Sequence, residues 1–569
     1  MSLINVGYDA SGNGNNWTVN NIDNDTTSTS TDVMVDSPTR YGTDTGAGGE
    51  VRGNYATFNP LDKGSSVTLD NGNLVATLPE QPVSSTIGAS SGKYYVETTI
   101  DTQGSVLIGW VNASYYPSQG QPWDYGDNAL YYSANGQKVI NNSFTPYASS
   151  ATSGDVIGVA VDFDSNSIEF FKNGSSLGSF SKTFSGNYKF VVADATSATN
   201  TVITLNAGQR PFAYTPPAGF LSLCTTNLPT PTILNGGDYF NAVLYTGNGT
   251  SQSITNVDFA PDFTWIKDRT LAWNNKLFDT IRGAGKYLIS DSTAAEATDT
   301  NQLSAFLSNG FSVGSQVSVN GSGDAYVAWN WKANGSGVSN TDGTITSSIS
   351  VNTTSGFSIV TYTGTGSAGA TVGHGLNAKP DVIIAKNRDQ ADGWRSYHDT
   401  GSSEILLFLH STSAQGSSVS FTDNWTNTSP TSSVFSIGTD AGVNSNAEDY
   451  IAYVFHSVEG YSAFGSYTGN GSADGPFVYT GFRVAYVMIK GSSFLSNWRI
   501  ADSARNTYNV ASANLEANLT DAEGATANTV DFLSNGFKIR GTGGDLNTSS
   551  GTIIYMAFAQ NPFKYSNAR

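Results

Sequence analysis

Short runs in which apolar and polar residues alternate recur along most of the chain, and they predict β-strands rather than helices. The runs 92–100, 106–110 and 154–164 are rich in Val, Ile, Tyr and Phe and are bounded by turn-forming residues. Asn173 and Gly174 give a strong hairpin signal, because both central positions of a type I′ turn have positive φ. The pattern therefore predicts an all-β protein.

From Tyr245 onwards the sequence contains three copies of one β-rich repeat. Each copy opens on Tyr-Thr-Gly-x-Gly, at Tyr245, Tyr362 and Tyr467, and the spacing is that of domains rather than of solenoid repeats. The hexapeptide Phe-Leu-Ser-Asn-Gly-Phe occurs at 306–311 and again at 532–537. Each copy closes on an alternating strand, so we expect three related antiparallel β-sandwich repeats that together build an extended or multivalent surface.

Each copy also carries a lysine on a hydrophobic strand, followed by a tryptophan and then by an aspartate. These repeated positions are Lys267, Trp273 and Asp279; Lys386, Trp394 and Asp399; and Lys490, Trp498 and Asp502. One interpretation is three equivalent ligand sites, each made of a cation and an aromatic plate. We favour a structural interpretation, in which each lysine stem packs on a core tryptophan and the aspartate closes the contact.

Composition narrows the classes of partner. Charged residues make up 13% of the 569 residues, about half the usual share, so Ser, Thr, Asn and Gly must cover much of the surface. The net charge of −19 opposes binding to phosphate backbones, so we expect no nucleic-acid partner. No apolar run approaches the ~20 residues of a membrane span, and we expect no membrane insertion. Cys224 is the only cysteine, so no intrachain disulfide can form.

The first 60 residues are polar and include the low-complexity run 24–31. We expect an N-terminal arm that anchors the chain or assists assembly. The residues from Met1 to Tyr8 have neither a basic region nor an apolar core, so we expect no secretory signal and release of the protein by lysis.

Four segments carry a resemblance to a known family. They are Gly92-Lys-Tyr-Tyr-Val-Glu97, Ile108-Gly-Trp110, the run 154–164, and Phe170-Phe-Lys-Asn-Gly-Ser-Ser-Leu-Gly178. Together they resemble a SPRY domain. The resemblance implies a concanavalin-like sandwich of two antiparallel sheets that serves for binding rather than for catalysis.

Further segments resemble marine tailed-bacteriophage virion or tail-fibre-type proteins. They are 35–41, 53–60, 205–220 and 559–569. The expected organisation is a polar arm (1–60), a SPRY-like β-sandwich (61–222), a linker (223–237), repeat 1 (238–335), a linker (336–355), repeat 2 (356–458) and repeat 3 (459–569).

Candidate chemical sites are few. Asp162, Asp164 and Asn166 have the alternating oxygen ligands of a calcium loop, but the central glycine is missing, and we favour a hairpin turn as their explanation. His398-Asp399 lacks a nucleophile elbow, and the other histidines lack metal-ligand spacing. No glycosidase carboxylate pattern surrounds Glu97 or Glu169. We therefore expect no enzyme activity, no cofactor and no metal.

The loop from 112 to 127 is the best candidate ligand site. Tyr115, Tyr116, Trp123 and Tyr125 lie there among Gly, Pro and Gln, and aromatic loop residues suit sugar rings or protein partners. The alternative is that these side chains fold back to cover the sandwich.

These observations favour a non-enzymatic phage structural protein, located in the virion as a tail fibre, tail appendage or capsid-attached fibre. Its expected partners are other virion proteins, through the arm, and a host-surface glycan or receptor, and we expect a homo-oligomer. One alternative is a bacterial cell-surface or secreted carbohydrate-binding adhesin. A polysaccharide depolymerase, with carboxylates brought together across domains, is the third.

Overall fold

The computed structural model describes residues 53–102, 104–117, 120–196, 200–400, 404–416 and 420–566, without the side chains of residues 526–528. This part of the chain is predominantly β-structure, which confirms the predicted all-β fold class. The chain divides into two compact units: unit 1 ends at Thr230 and unit 2 begins at Pro231.

Unit 1 is built from fifteen strands among its described residues. They are β1 (Phe58–Lys63), β2 (Thr68–Asp70), β3 (Val75–Leu78), β4 (Pro82–Ala89), β5 (Lys93–Thr102), β6 (Val106–Asn112), β7 (Asn128–Tyr132), β8 (Gln137–Ile140), β9 (Ser143–Pro146), β10 (Val156–Asp162), β11 (Ser167–Lys172), β12 (Ser175–Ser181), β13 (Tyr188–Asp194), β14 (Thr201–Asn206) and β15 (Leu221–Ser222).

These strands form two sheets that pack face to face. One sheet has the order β1-β4-β13-β6-β7-β8-β9, and the other has the order β12-β11-β10-β5-β14-β3-β2, with β15 beside β5. Aromatic rings fill the core between the sheets. The Trp110 ring centroid lies 5.3 Å from that of Phe163, and the Tyr131 centroid lies 5.8 Å from that of Phe170. This is a β-sandwich of the expected kind.

Unit 2 consists of three lobes, defined here as lobe 1 (236–334), lobe 2 (338–457) and lobe 3 (458–566). Lobe 1 contains β16 (Phe240–Thr246), β17 (Gln252–Ile254), β18 (Phe263–Asp268), β19 (Lys276–Asp279), β20 (Lys286–Ile289), β21 (Ala297–Thr298), β22 (Leu303–Leu307), β23 (Gly310–Val313), α1 (Val317–Asn320) and β24 (Ala325–Trp331).

Lobe 2 contains β25 (Val338–Asn340), β26 (Ser347–Asn352), β27 (Phe357–Thr363), β28 (Ala370–Gly373), β29 (Val382–Asn387), β30 (Arg395–Asp399), β31 (Glu404–Leu407), α2 (Phe421–Trp425), β32 (Val434–Ile437), α3 (Ala441–Asn444) and β33 (Asp449–Phe455). Lobe 3 contains β34 (Ser462–Thr468), β35 (Phe477–Tyr479), β36 (Phe482–Gly491), β37 (Arg499–Asp502), β38 (Ala511–Glu516), β39 (Gly524–Leu533), β40 (Gly536–Ile539), α4 (Gly544–Asn547) and β41 (Thr552–Pro562).

The same strand order is found in each lobe. The main sheets run β16-β24-β18-β19-β20, β27-β33-β29-β30-β31 and β34-β41-β36-β37-β38. A smaller set of strands covers one face of each: β17-β23-β22 in lobe 1, β28-β32 in lobe 2 and β35-β40-β39 in lobe 3. A hydrophobic core lies between the two layers, as Phe278 and Phe311 illustrate in lobe 1.

The long closing strands β24, β33 and β41 meet in the middle of unit 2. Trp331, Phe455 and Phe558 occupy the same register position in the three lobes, opposite Phe263, Val382 and Tyr486. Their ring centroids are 6.5 Å (Trp331–Phe455), 5.6 Å (Trp331–Phe558) and 5.8 Å (Phe455–Phe558) apart. The apolar cavity among them measures only about 20 Å³, so the centre of unit 2 is a packed core shared by all three lobes.

Parts of the segments predicted to be an arm or linkers have secondary structure. Of the arm, residues 1–52 lie outside the described residues, while Phe58 begins β1. In the predicted linker 223–237, Leu223 and Cys224 are fully buried in unit 1. The linker 336–355 is corrected to the hairpin β25–β26, which joins the sheet of lobe 2 because Ile349 is buried in the core of that lobe.

Candidate binding surfaces and the contacts between the lobes

The aromatic loop of unit 1 lies against the outer face of a sheet. Tyr115 and Tyr116 are only 0% and 2% exposed, so they belong to the core. Trp123 and Tyr125 are half-buried, and they pack on a hydrophobic cluster that includes Leu107. The side chains thus cover the sandwich, and the first two of the four candidates present no surface to a ligand.

Buried polar contacts hold this loop in place. Lys189 Nζ is 2.6 Å from Asp62 Oδ2, and both side chains are essentially unexposed. The same Nζ donates a hydrogen bond to Tyr115 O at 2.9 Å and lies 5.7 Å from the Tyr116 ring centroid. Tyr115 OH also donates to Gly120 O at 2.7 Å. The loop is therefore fixed by the fold rather than by a ligand.

An aromatic patch remains partly accessible at this loop; we define it as Trp123, Tyr125, Tyr132 and Phe144. Phe144 is 40% exposed, and its ring packs edge-on against Tyr132 with the centroids 6.1 Å apart. Asn142 Nδ2 donates to Asp124 O, which ties the β8–β9 hairpin to the loop. The patch therefore has a fixed shape, as a binding surface requires.

The three calcium candidates of unit 1 have protein partners. Asp162 Oδ2 is 2.8 Å from Lys93 Nζ, Asp164 Oδ1 accepts from Gly92 N, and Asn166 Oδ1 accepts from Phe184 N. Among the residues that the structure describes, no group of three or more His, Cys, Asp or Glu side chains is placed to hold a metal ion.

Glu97, the carboxylate considered for catalysis, is buried beside a turn of main chain. Its oxygens accept hydrogen bonds from Ala213 N, Tyr214 N and Tyr95 OH at 2.7, 3.0 and 3.2 Å. Burial raises its pKa, while the main-chain donors act in the opposite direction. Its partners make Glu97 an anchor for residues 213–214.

The three lysines at repeated positions in unit 2 are fully buried. Each ammonium donates to main-chain carbonyls: Lys267 to Asp268 O and Thr520 O, Lys386 to Asn387 O and Gln390 O, and Lys490 to Thr412 O and Ser496 O. Burial lowers the pKa of each to about 8. Two of them reach a carbonyl of a neighbouring lobe, so their contacts are structural.

The register assigns the tryptophan position differently from the sequence alignment. Trp394 Nε1 donates to Ile289 O of lobe 1 at 2.8 Å, and Trp498 Nε1 donates to Phe408 O of lobe 2 at 2.9 Å. In lobe 1 the residue immediately before β19 is Asn275, whose Nδ2 donates to Glu516 O of lobe 3 at 3.1 Å. Trp273 is 38% exposed. Asn275 replaces Trp273 as the equivalent residue.

The aspartate position is also shifted by one residue in lobe 2. Asp279 pairs with Phe263 and Asp502 pairs with Tyr486 in their ladders, and the residue in the same place opposite Val382 is His398. Side chains alternate between the faces of a strand, so a shift of one residue changes the face. Asp399 lies on the other face, 2.7 Å from Lys379 Nζ.

Each lobe touches both others, so the three close a ring. Lobe 2 meets lobe 1 through Trp394, lobe 3 meets lobe 2 through Trp498, and lobe 1 meets lobe 3 through Asn275. Three main-chain bonds repeat around the ring: Glu296 N to Arg388 O, Glu523 N to Arg269 O, and Gln415 N to Ser492 O, at 2.8, 2.9 and 2.8 Å.

Buried ion-pair networks link lobe 1 to each of its neighbours. At the contact with lobe 2, Arg282 Nε is 2.5 Å from Asp279 Oδ2, which also accepts from Tyr453 OH at 2.9 Å. Glu296 accepts two hydrogen bonds from Arg388. Burial opposes the charge of Glu296, but Arg388 and Arg282 hold its pKa below the ordinary value.

The contact between lobes 1 and 3 has the same chemistry. Arg505 Nε is 2.6 Å from Asp502 Oδ2, and Trp329 Nε1 donates to the same oxygen at 3.0 Å. Arg269 makes two hydrogen bonds to Glu523. Sequence reasoning missed these arginines, although Asp-x-x-Arg at 279–282 and again at 502–505 was a detectable signal.

The contact between lobes 2 and 3 is neutral at the equivalent positions. His398, Gln415 and Ser492 stand where the other contacts have Asp, Glu and Arg. The His398 ring lies 5.8 Å from that of Trp498, and burial lowers its pKa to about 3. His398 Nε2 has no hydrogen-bond partner among the described residues. The three contacts between lobes therefore differ in chemistry, since two contain buried ion pairs and the third is neutral.

Comparisons with known proteins bear on both units. Residues 93–210 match the family model of the SPRY domain. The chain is similar to the SPRY domain of human HERC1, with 20% identity and a TM-score of 0.24, over 26% of this chain and 96% of that one. It is also similar to the TRIM65 PSpry domain, with 16% identity and a TM-score of 0.23, over 26% and 91%. The SPRY part of the predicted resemblance is confirmed.

Two curated proteins are similar over part of the chain. The ATP-dependent RNA helicase DDX1 of Xenopus laevis is 28% identical over 171 residues, which is 29% of this chain and 22% of that protein. The ATP-dependent RNA helicase Ddx1 of Drosophila melanogaster is 28% identical over 135 residues, 23% of this chain and 18% of that protein. The matched part spans about a fifth of the length of these relatives.

A second family model covers the three lobes. Residues 235–562, more than half of the 569-residue chain, match the family described as a domain of unknown function, DUF7483. The chain therefore belongs to the DUF7483 family.

Proposed function

We propose that this protein is a non-enzymatic structural component of a tailed-phage particle, as a tail fibre, tail appendage or capsid-attached fibre. In this role the β-sandwiches are displayed to the host surface, and the arm at 1–60 contacts other virion proteins. The observation that carries the proposal is the construction of unit 2, in which most of the repeated positions join one lobe to another. They are Lys267, Lys490, Trp394, Trp498, Asp279 and Asp502.

The side chains considered for catalysis support a structural role. Glu97 is hydrogen-bonded within the fold, Asp399 Oδ2 lies 2.7 Å from Lys379 Nζ, and His398 is buried at 2% exposure between lobes 2 and 3. Unit 1 adds a SPRY domain, which belongs to a class of binding domains. A chain that combines a binding domain with a unit held together by buried contacts suits display and attachment better than turnover.

The aromatic patch is the proposed contact with the host surface. Half-exposed aromatic rings can stack on neutral sugars or pack against protein, and the polar surroundings need no charge on the ligand. Each such contact is weak. Several copies on one particle would raise the overall affinity through effective concentration.

Immunogold microscopy of particles released from the source culture tests the location. An antibody against lobe 3 should label a tail, a fibre or the capsid. Label confined to the cell envelope, with unlabelled particles, would reject the virion role and favour the adhesin.

Substitution of the patch tests the attachment role. Phe144→Ser and Trp123→Ala should each weaken binding of the purified protein to host cells severalfold, whereas Leu495→Ser, at a side chain of unit 2 that is 73% exposed, should leave it unchanged. Equal binding by all three variants, with unaltered circular dichroism, would remove the patch from the proposal.

A further inference from the structure

The β16 edge of the lobe 1 sheet has no strand beside it among the residues that the structure describes. β16 is the outermost strand of its sheet and pairs only with β24. The main-chain bonds at the two ends of this ladder are made by Tyr239 and Gly247, so odd-numbered residues face β24. In an antiparallel ladder the alternate residues face outwards, which leaves the N–H and C=O groups of Ala242 and Leu244 pointing away from the sheet.

Lobe 2 shows what covers the same edge. Its strand β27 has the register of β16, because Phe357 lies opposite Phe455 just as Phe240 lies opposite Trp331. There β26 pairs antiparallel with β27, with Ser350 opposite Ile359 and Ser348 opposite Thr361. Ile359 and Thr361 correspond to Ala242 and Leu244. An edge of this geometry therefore accepts an extended strand.

The corresponding edge of lobe 3 is partly occupied. Phe464 of β34 corresponds to Ala242, since Ser462 lies opposite Phe558. The amide of Phe464 donates to Ser457 Oγ at 3.3 Å. Lobe 1 is thus the lobe in which the described residues leave this amide without a protein acceptor.

A groove opens at the Phe240 end of the free edge. It has a volume of about 390 Å³ and lies between lobes 1 and 3. Its lining includes main chain of β16, the end of β41 and two exposed carboxylates, Asp238 and Asp258. The described residues that line it include no lysine, arginine or histidine. The groove therefore favours a neutral or basic occupant.

We propose that β16 is a docking edge for an extended, uncharged-to-basic segment of a partner protein, which adds to the lobe 1 sheet as a strand antiparallel to β16. Main-chain hydrogen bonds to Ala242 and Leu244 supply the binding energy, as in other cases of strand addition. A basic residue at the carboxyl end of the segment lies near Asp238 and Asp258. This inference does not depend on the proposed function.

The orientation follows from the lobe 2 hairpin. The carboxyl end of β26, at Asn352, lies opposite Phe357, which is the position of Phe240 in lobe 1. A segment docked in the same way has its carboxyl end at the acidic groove. Reversing the position of its basic residues should therefore weaken binding.

The probe is a fluorescent peptide with the sequence of residues 345–354 followed by two lysines, measured by anisotropy with the full-length protein at low salt. It should bind saturably, and the same peptide with its two lysines at the amino end should bind severalfold more weakly. Hydrogen exchange should show protection of the fragment covering β16 and none of the fragment covering β34.

Ala242→Pro removes the outward N–H, and proline is tolerated at this position of an edge strand. Affinity should fall about tenfold, with unchanged circular dichroism. If that variant does not fold, the native protein and a modified peptide give the same test. Methylation of the peptide nitrogen of Ser350, which faces β16, should abolish binding, while methylation of the nitrogen of Ile349, which faces away, should not.

Three results would overturn the proposal. One is the absence of saturable binding by either peptide, and another is equal affinity of the two methylated peptides. The third is protection of the groove from hydrogen exchange by a neutral oligosaccharide but not by the peptide. That result would identify the groove as a sugar-binding site. None of these results bears on where the protein lies in a particle.

Discussion

Unit 2 contains charged side chains that are buried away from solvent. Lys267, Lys386 and Lys490 are fully buried, and their ammonium groups are solvated by main-chain carbonyls instead of water. Desolvation of an ammonium is costly unless hydrogen bonds replace the lost water, and here each Nζ has two carbonyl acceptors. Sequence reasoning predicted the recurrence of these lysines but not their acceptors, two of which, Thr520 O and Thr412 O, belong to loops distant in sequence.

The buried lysines should make stability depend on pH. Their pKa of about 8 in the folded chain lies below the ordinary value of 10.5, so the unfolded chain holds more protons between these values. Stability therefore rises as pH increases above about 8. We expect the urea midpoint of unit 2 to increase between pH 7.5 and 9.5, and to increase less in Lys386→Met.

Lys379→Met is the matched control for that measurement. Lys379 is 43% exposed, and contacts with Asp399 and Glu404 raise its pKa above the ordinary value. Replacing Lys379 should leave the increase of the urea midpoint above pH 8 unchanged. Parallel pH profiles for Lys386→Met and the native protein would show that the buried amine does not titrate in this range.

Strands were the most predictable elements, and loops the least. The predicted turn at Asn173-Gly174 is confirmed, with φ of 49° and 75° between β11 and β12. The closing strands were located from their apolar and aromatic residues, and nearly every residue in them is buried, on both faces of the sheet. The pattern could not reveal that 347–352 is a strand, since three of its six residues are Ser and Ile349 is its one buried hydrophobic side chain.

Trp394 and Trp498 each follow their lysine by eight residues, and the same count from Lys267 leads to Asn275. Comparison of residue types alone selects the nearby Trp273 instead.

The contrast between two tryptophans tests the assignment of the lobe contacts. Trp394→Ala removes a fully buried ring and its bond to Ile289 O, and should destabilise unit 2 by about 3–5 kcal/mol. Trp273→Ala, at a partly exposed ring, should cost about 1 kcal/mol or less. Urea unfolding measures both. Similar costs would mean that the two residues are equivalent after all.

At the scale of the molecule, the three lobes of unit 2 share one core and should not unfold separately. The central rings come from all three closing strands, and ion-pair networks span two of the three contacts. The sequence predicted three related units but gave no sign of this shared centre. Contacts between lobes depend on residues far apart in the chain, such as Asp279 and Tyr453.

Breaking one buried ion pair should therefore destabilise the whole of unit 2. Asp279→Asn removes the nearer of the two carboxylates that pair with Arg282 inside the protein, where breaking a buried pair costs about 3–5 kcal/mol. Asp399→Asn weakens a solvent-accessible pair and should cost about 1 kcal/mol or less. Fluorescence and circular dichroism should report the same shifted transition. A separate early transition confined to lobe 1 would contradict a shared core.

The three lobes of unit 2 are related in fold but can be told apart. The contact between lobes 2 and 3 is neutral, and only in lobe 2 is the sheet edge covered by a strand among the described residues. A trimer of identical chains could be seated on a partner in three indistinguishable rotations. Here the lobes belong to one chain and differ in chemistry. A partner that contacts any of these differences can therefore bind unit 2 in one rotational orientation only. A particle that carried unit 2 would therefore have one distinguishable direction around the axis that relates the three lobes.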